Sequence, residues 1–281
     1  MHIDEIRSSP ASRRLFLKRM SAAGMGVAAA TLLAGGFSSH NFAMAESANA
    51  AATTPPSPTV PDVMAAFPGI PGKSTVEIVL NFALTLEILE ADLYRQALNI
   101  ASGRPIQTPL DTSPDKYKRD VKSGYGFNFA QGNAGFLYLA QFAFVEAAHR
   151  DFLIAGITAA GGTPTKPNPG GYKFPHVPSA GIAYIVGEIL PLEETGVRAY
   201  LGALPYLGDQ LAYAQVAGGI YSTEARHSAA IQYLFGNGAG PRPMPHGAGD
   251  MKVVPNYPSP NTFEYFLTPS QVLGAAIAYF A

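Results

Sequence analysis

Four glutamates and two histidines recur along the chain in a fixed order: Glu87, then Glu146-Ala-Ala-His149, then Glu193, then Glu224-Ala-Arg-His227. Residues three apart share one face of a helix, so each Glu-x-x-His pair presents a carboxylate oxygen and an imidazole nitrogen to the same point. Glu87 and Glu193 each sit in an apolar helical segment, where an unpaired carboxylate is costly to bury. The order Glu, Glu-x-x-His, Glu, Glu-x-x-His is the one in which a four-helix bundle assembles a two-metal carboxylate site.

Composition bears on this reading in three ways. The chain has no cysteine, so it has neither disulfides nor thiolate ligands, and any metal must be held by carboxylates and imidazoles, which suit iron, manganese or zinc. From residue 46 onward 14 lysines and arginines face 18 acidic residues, a net charge of −4 against −1 for the whole chain. That balance excludes nucleic acid as a partner. Charged residues are only 14% of the whole, so the helices should bury much of their surface.

The first residues read as an address. Ser12-Arg13-Arg14-Leu15-Phe16-Leu17-Lys18 is a twin-arginine export signal, followed by an Ala/Gly-rich apolar stretch and the small-x-small site Ala43-Met44-Ala45. Residues 1–45 are therefore expected to be removed, with Ala48-Asn49-Ala50 as a second possible site. The expected partner is the twin-arginine machinery and the expected location periplasmic or extracellular. The apolar stretch is short for a bilayer span, so no stable membrane span is expected after cleavage.

Residues 46–73, rich in Ala, Thr and Pro, are expected to form an extended leader, and residues 74–236 the bundle. Ser74-Thr-Val-Glu77 has capping-box spacing and sets the first helix at Thr75 to about Ile100, about 39 Å long. A Pro/Lys-bearing loop over 102–130 precedes a second helix over 134–160, stopped by Gly161-Gly162. Five prolines between Thr163 and Pro178 imply an extended crossover able to run the length of a bundle. The third helix should span 180–204, with Pro191 bending it or opening a turn. The fourth should span 209–235. Residues 237–281 are expected to be a Pro/Gly-rich extension with one short helix after Thr268. The fold class is thus all-α, an antiparallel four-helix bundle with a long crossover between its second and third helices.

A weak internal repeat selects among neighbouring carboxylates. Leu86-Glu87 followed by Tyr94 matches Leu192-Glu193 followed by Tyr200, which favours Glu87 over Glu90 and Glu193 over Glu194. Glu90 lies close to the same face and is open to three roles: a neighbour of the ligands, an extra ligand or an exposed charge. Glu188 and Glu194 read as solvated helix charges, and His176 as a loop histidine. Tyr94 and Tyr200 are either core aromatics or hydrogen-bond partners of the ligands. One Glu-x-x-His alone is usually a surface ion pair. Two of the four histidines beyond residue 46 carrying Glu at −3 is, by composition, on the order of a one-in-a-hundred event.

Together, Leu80-Asn-Phe-Ala-Leu-x-Leu-Glu87-x-x-Glu90-Ala-x-x-Tyr94, Glu146-x-x-His149, Leu192-Glu193-x-x-Gly196-Val-x-Ala-Tyr200 and Glu224-x-x-His227 resemble the ferritin-like superfamily. The similarity covers roughly residues 74–236 and is closest to desiccation- and stress-related ferritin-like proteins. The resemblance implies six ligands to two divalent ions, iron or manganese: Glu87, Glu146, His149, Glu193, Glu224 and His227, with Glu146 and Glu224 bridging. It implies redox chemistry on peroxide or oxygen, and alternatively a non-catalytic stress or envelope protein using the bundle for structure or metal sequestration. Lack of cysteine leaves no rubredoxin-type iron centre, and the long Pro/Gly loops argue against a storage shell.

Overall fold

The computed structural model describes residues 58–110, 134–175, 177, 182–234 and 264–280. The export signal, its cleavage sites, His176, most of the 102–130 loop and residues 238–262 lie outside them. The chain order is α1 (Val60–Ala66), α2 (Thr75–Ala101), α3 (Ala134–Ala159), α4 (Ile182–Ala203), a 3-10 turn (Leu204–Leu207), α5 (Leu211–Leu234), α6 (Pro269–Ala276) and a 3-10 turn (Ile277–Tyr279). Helix α2 packs along α3 and α4 along α5, while α2 also meets α4 and α3 meets α5. This is an all-α bundle. Among the described residues the only β pairing is an isolated bridge, Tyr172 to Phe280, and no helix is long and apolar enough to cross a membrane.

Helix α2 is the spine. Ser74 accepts from the Glu77 backbone N–H at 3.2 Å, which satisfies one of the donors left open at a helix start. The Glu77 carboxylate does not close the box on Ser74. It accepts instead from the backbone N–H of Lys73 and from that of Thr163, each at 2.8 Å, tying the helix start to the crossover. Asn81, fully buried, continues the seam: its amide donates to the carbonyls of Pro71 and Thr163 and accepts from Thr165 N–H. About four turns beyond Asn81, Gln96 donates to the Tyr172 carbonyl. The crossover thus lies alongside α2 for about 29 Å, the rise from Glu77 to Gln96. An extended, proline-bearing chain cannot satisfy its own backbone groups, and these amide side chains do so for it.

Two expectations need correction. The stretch over 46–73 is not wholly extended. Thr59 and Asp62 form a complete capping box with Pro61 in the first turn, and α1 seats Val63 and Phe67 in the core at 0% and 1% exposure. Phe67 meets Phe82 and Tyr206 edge-on, with ring centroids 5.0 and 4.9 Å away, so burial of two apolar side chains stabilises a two-turn helix that could not stand alone. Pro191 lies inside α4, which continues on both sides of it. Thr195 donates its hydroxyl to the Pro191 carbonyl at 2.6 Å. The second correction concerns Glu194 and is given with the site.

The C-terminal segment is strapped across the bundle at two points. Leu267 N–H donates to the Arg198 carbonyl at 3.2 Å, and a Cβ on Gly202 would stand 1.8 Å from the Leu267 carbonyl oxygen, so only glycine admits this approach. At the far end Lys173 N–H donates to the Tyr279 carbonyl at 2.9 Å. Between them α6, capped by Thr268 and Gln271, buries Val272 and Ala276.

Candidate metal centre

Two crossed pairs fix how the four long helices face one another. Tyr94, two turns beyond Glu87 on α2, donates to Glu193 on α4. Tyr200, two turns beyond Glu193 on α4, donates to Glu87 on α2 at 2.6 Å. This reciprocal pairing requires α2 and α4 to run antiparallel in one register. The same holds for α3 and α5: His149 Nδ1 lies 3.3 Å from Glu224 Oε1 and His227 Nδ1 lies 2.8 Å from Glu146 Oε1. Exchange of the two halves therefore maps each of these contacts onto another, with approximate twofold symmetry.

All six residues singled out in the sequence meet at the centre of that exchange. Glu87, Glu146, His149 and Glu224 form one group, and Glu146, Glu193, Glu224 and His227 a second; within each, one potential ligand atom per residue lies within 4.8 Å of every other. Glu146 and Glu224 belong to both. The four glutamates are 0% exposed and His227 is 3% exposed.

The polar atoms of this cluster fit a cation better than they fit one another. Three carboxylate oxygens, from Glu87, Glu146 and Glu224, lie 3.2 to 3.3 Å from the single nitrogen His149 Nδ1, and one N–H cannot serve three acceptors. Glu87 Oε2, Glu146 Oε1, Glu193 Oε2, both Glu224 oxygens and His227 Nδ1 are buried with no hydrogen-bond partner. Unmet carboxylate oxygens converging in a dry interior are strongly unfavourable unless a positive charge sits among them. The donor set, carboxylate and imidazole only, suits a divalent cation such as iron, manganese or zinc.

Electrostatics in the metal-free cluster follow from burial and crowding. Burial, opposed by the nearby His149, raises the Glu87 carboxyl to about 7. Burial and the charges of Glu146 and Glu193 raise Glu224 well above the carboxylate range. Glu146 goes the other way: burial would raise it, but the close approach and charges of His149 and His227 outweigh that and hold it at about 2. Burial disfavours the imidazolium forms, yet Glu193 and Glu146 lift His227 to about 9. Glu87 with Glu146 and Glu224 lift His149 further. Without metal, the cluster keeps protons where it would hold cations.

Residues left open by spacing are now placed. Tyr94 and Tyr200 are both core aromatics and hydrogen-bond donors to the cluster. Burial first, then the neighbouring glutamates, hold their hydroxyls well above the usual tyrosine range, so they remain donors. Glu90 is buried at 3% exposure, and the charges of Glu224, Glu193, Glu87 and Glu146 add to its burial in raising its carboxyl well above the ordinary range. It is not a solvated charge. Nor is Glu194, contrary to the sequence reading. It is 7% exposed, pairs with Arg198 at 2.9 Å, and accepts from Ser228 and from Gln232 on α5. That network ties α4 to α5 beside the centre. The Glu188 side chain lies outside the described ones. Phe142 on α3 stacks on the His227 ring at 3.8 Å between centroids.

The ferritin-like domain family model matches residues 76–237, more than half of the 281 residues. The chain belongs to that family. Its matched span contains all six cluster residues, and the cluster is compatible with the metal centre such a bundle houses. No curated protein matches the chain.

Proposed function

We propose that the chain is an exported dinuclear metalloprotein whose centre reacts with peroxide or oxygen in stress protection. The observation that carries this reading is the overlap of two four-residue groups on Glu146 and Glu224, the arrangement expected of two ions sharing two bridging carboxylates. Glu87 and His149 would complete one ion's protein ligands, Glu193 and His227 the other's. Two bound iron or manganese ions would supply a two-electron redox change to an oxidant.

The chain's own residues have definable parts. Tyr200 and Tyr94 orient Glu87 and Glu193 by donating to one carboxylate oxygen each, leaving the other oxygen free. Phe142 covers the His227 ring and fixes its plane. The apolar residues around the cluster, Leu84, Ile88, Leu153 and Ile220 among them, exclude water and so strengthen every charge interaction within. The twin-arginine motif supports export in the folded state, so ions could be inserted before the protein meets metals outside the cytoplasm.

Elemental analysis of protein recovered from its native compartment should find two iron or manganese ions per chain, and that protein should consume peroxide or oxygen. Metal-replete protein inert to both would overturn the redox reading. The rival, a non-catalytic stress or envelope protein, has one observation in its favour: the buried unmet carboxylates make any bound ion a large contributor to stability. Strong metal-dependent stabilisation without turnover would establish it.

A further inference from the structure

We infer that the apolar cavity of about 20 Å³ beside the Glu87–His149 end of the cluster binds a small apolar gas, dioxygen, and is where the centre draws its oxidant. The supply half rests on the proposed redox centre; the binding half does not.

The cavity arises from unequal packing in a bundle whose halves are otherwise matched. The correspondence that carries Glu87 onto Glu193 and His149 onto His227 also carries Leu93 onto Ala199, Leu139 onto Ala217 and Phe142 onto Ile220. Leu93, Leu139 and Phe142 are buried in the main core. Ala199, Ala217 and Ile220 line the cavity instead. Each exchange removes side-chain volume from one flank, and the helices have not closed on the space. Voids of this kind are few in a close-packed interior.

Position ties the cavity to the site. Ala83, Leu153 and Ile220, all in the lining, stand four residues from Glu87, His149 and Glu224, on the same helix faces and about 6 Å along the axes. Tyr200, which donates to Glu87 Oε1, lines it as well. The cavity is thus the layer of the bundle next to the cluster, on the flank where His149 lacks the cover that Phe142 gives His227. On the outer side Val216 and Ala217 are half-buried, so α5 alone separates it from solvent there.

Size and polarity select the ligand. A void needs about 10 to 15 Å³ to hold one water, so this one takes a molecule of one or two heavy atoms. Water needs at least two polar partners. The Tyr200 hydroxyl is the one polar side-chain group in the lining, and its hydrogen is given to Glu87. Hydrogen peroxide, with two O–H groups, would leave water for a single acceptor, which is costly. Dioxygen has no O–H group to leave unsatisfied, and an apolar wall suits it.

Xenon stands in for dioxygen, since dry apolar cavities take it up. Methyl resonances of Leu153 and Ile220, followed by NMR in the folded chain without metal, should shift saturably with xenon pressure; no response overturns the cavity. Ala199→Leu and Ala217→Leu each install the residue that fills the other flank, and either should weaken the response about tenfold or more. Melting curves identify a variant that fails to fold, and the other then decides. An unchanged response in a folded variant overturns the site. The second arm mixes the ferrous-loaded chain, its ions counted by elemental analysis, with dioxygen or with hydrogen peroxide. Two ferrous ions give one electron each to dioxygen, which takes two protons from solvent and leaves as hydrogen peroxide. With peroxide as oxidant, the same two electrons and two protons give two waters. The folded variants should slow oxidation by dioxygen about fivefold or more and leave oxidation by peroxide within about twofold. Equal slowing of both, or of neither, overturns the supply half. A chain oxidised by peroxide and inert to dioxygen also overturns the supply half but keeps the redox reading. Failure to hold iron overturns the dinuclear reading and the supply half with it, while the xenon arm still decides the binding half.

Discussion

The α2–α3 and α4–α5 halves of the bundle present the same six-residue chemistry and differ in what surrounds it. Glu87, Glu146 and His149 correspond to Glu193, Glu224 and His227, and the tyrosine donors are exchanged across the midline. The exceptions are local. Glu90 in the first half corresponds to Gly196 in the second. Phe142, which roofs His227, corresponds by the same offset to Ile220, and His149 is left 15% exposed where His227 is 3%. Positions that meet at the cluster are duplicated and positions behind it are not. The duplicated part is what a pair of ions constrains; the unduplicated part is where one flank becomes distinguishable from the other.

The largest effect should separate residues shared by the two groups from residues belonging to one. Glu146→Ala or Glu224→Ala removes a ligand from both proposed ions, and metal content by elemental analysis should fall from two ions per chain to none. Glu87→Ala and Glu193→Ala each remove a ligand from one group and should leave about one ion. Retention of one ion by both shared-residue variants would show that the carboxylates do not bridge, and unequal loss between Glu87→Ala and Glu193→Ala would show that the surroundings, not the ligands, rank the two positions.

The metal-free and metal-loaded chains should respond to pH in opposite directions. In the metal-free chain Glu87 is raised from 4.5 to about 7 and His227 from 6.5 to about 9. A group whose folded value is raised binds its proton more tightly when folded, so its contribution is complete below the unfolded value and is lost as pH rises through the folded one. For Glu87 the loss spans pH 4.5 to about 7, and for His227 pH 6.5 to about 9. Glu146, lowered to about 2, loses its contribution only as pH falls below 4.5. Melting temperature of metal-free protein should therefore decline from about pH 5 to pH 9. Bound metal displaces those protons, so the loaded chain should gain stability over the lower part of that range as competition by protons fades. A metal-free chain more stable at pH 8 than at pH 5 would contradict the proton-holding description of the cluster.

How much of this was legible depends on how far apart the determinants lie. The start of α2 follows from Ser74 and Glu77, three residues apart, and structure and sequence agree there to the residue. The six cluster residues and both tyrosines follow from spacings of three and seven, repeated twice. Glu194 was misread because nothing local distinguishes it from a solvated charge; Ser228 and Gln232, 34 and 38 residues away, decide its burial. Glu90 packs against Gly196 on another helix, a neighbour that no local spacing reveals. Helix α1 did have a local signal, Thr59-x-x-Asp62, but its stability comes from Phe67 meeting Phe82 and Tyr206, which composition rich in Ala and Pro conceals.

The smallest effect is the finest probe of the twofold relation. Tyr94→Phe and Tyr200→Phe each delete one hydroxyl and leave a buried carboxylate oxygen without its donor, at a cost of about 1 to 3 kcal/mol. The two carboxylates have matching second contacts: Glu87 lies 3.3 Å from His149 and Glu193 lies 3.4 Å from His227. The two losses measured by denaturant unfolding of the metal-loaded chain should therefore agree within about 0.5 kcal/mol. A larger loss for Tyr94→Phe would point to the neighbours of Tyr94, since its ring also lies edge-on to Phe142 and His227 and a retained phenylalanine must keep those contacts without the hydroxyl that aims it. A larger loss for Tyr200→Phe would instead assign the more exposed His149 side a weaker hold on Glu87, leaving the tyrosine as its principal restraint.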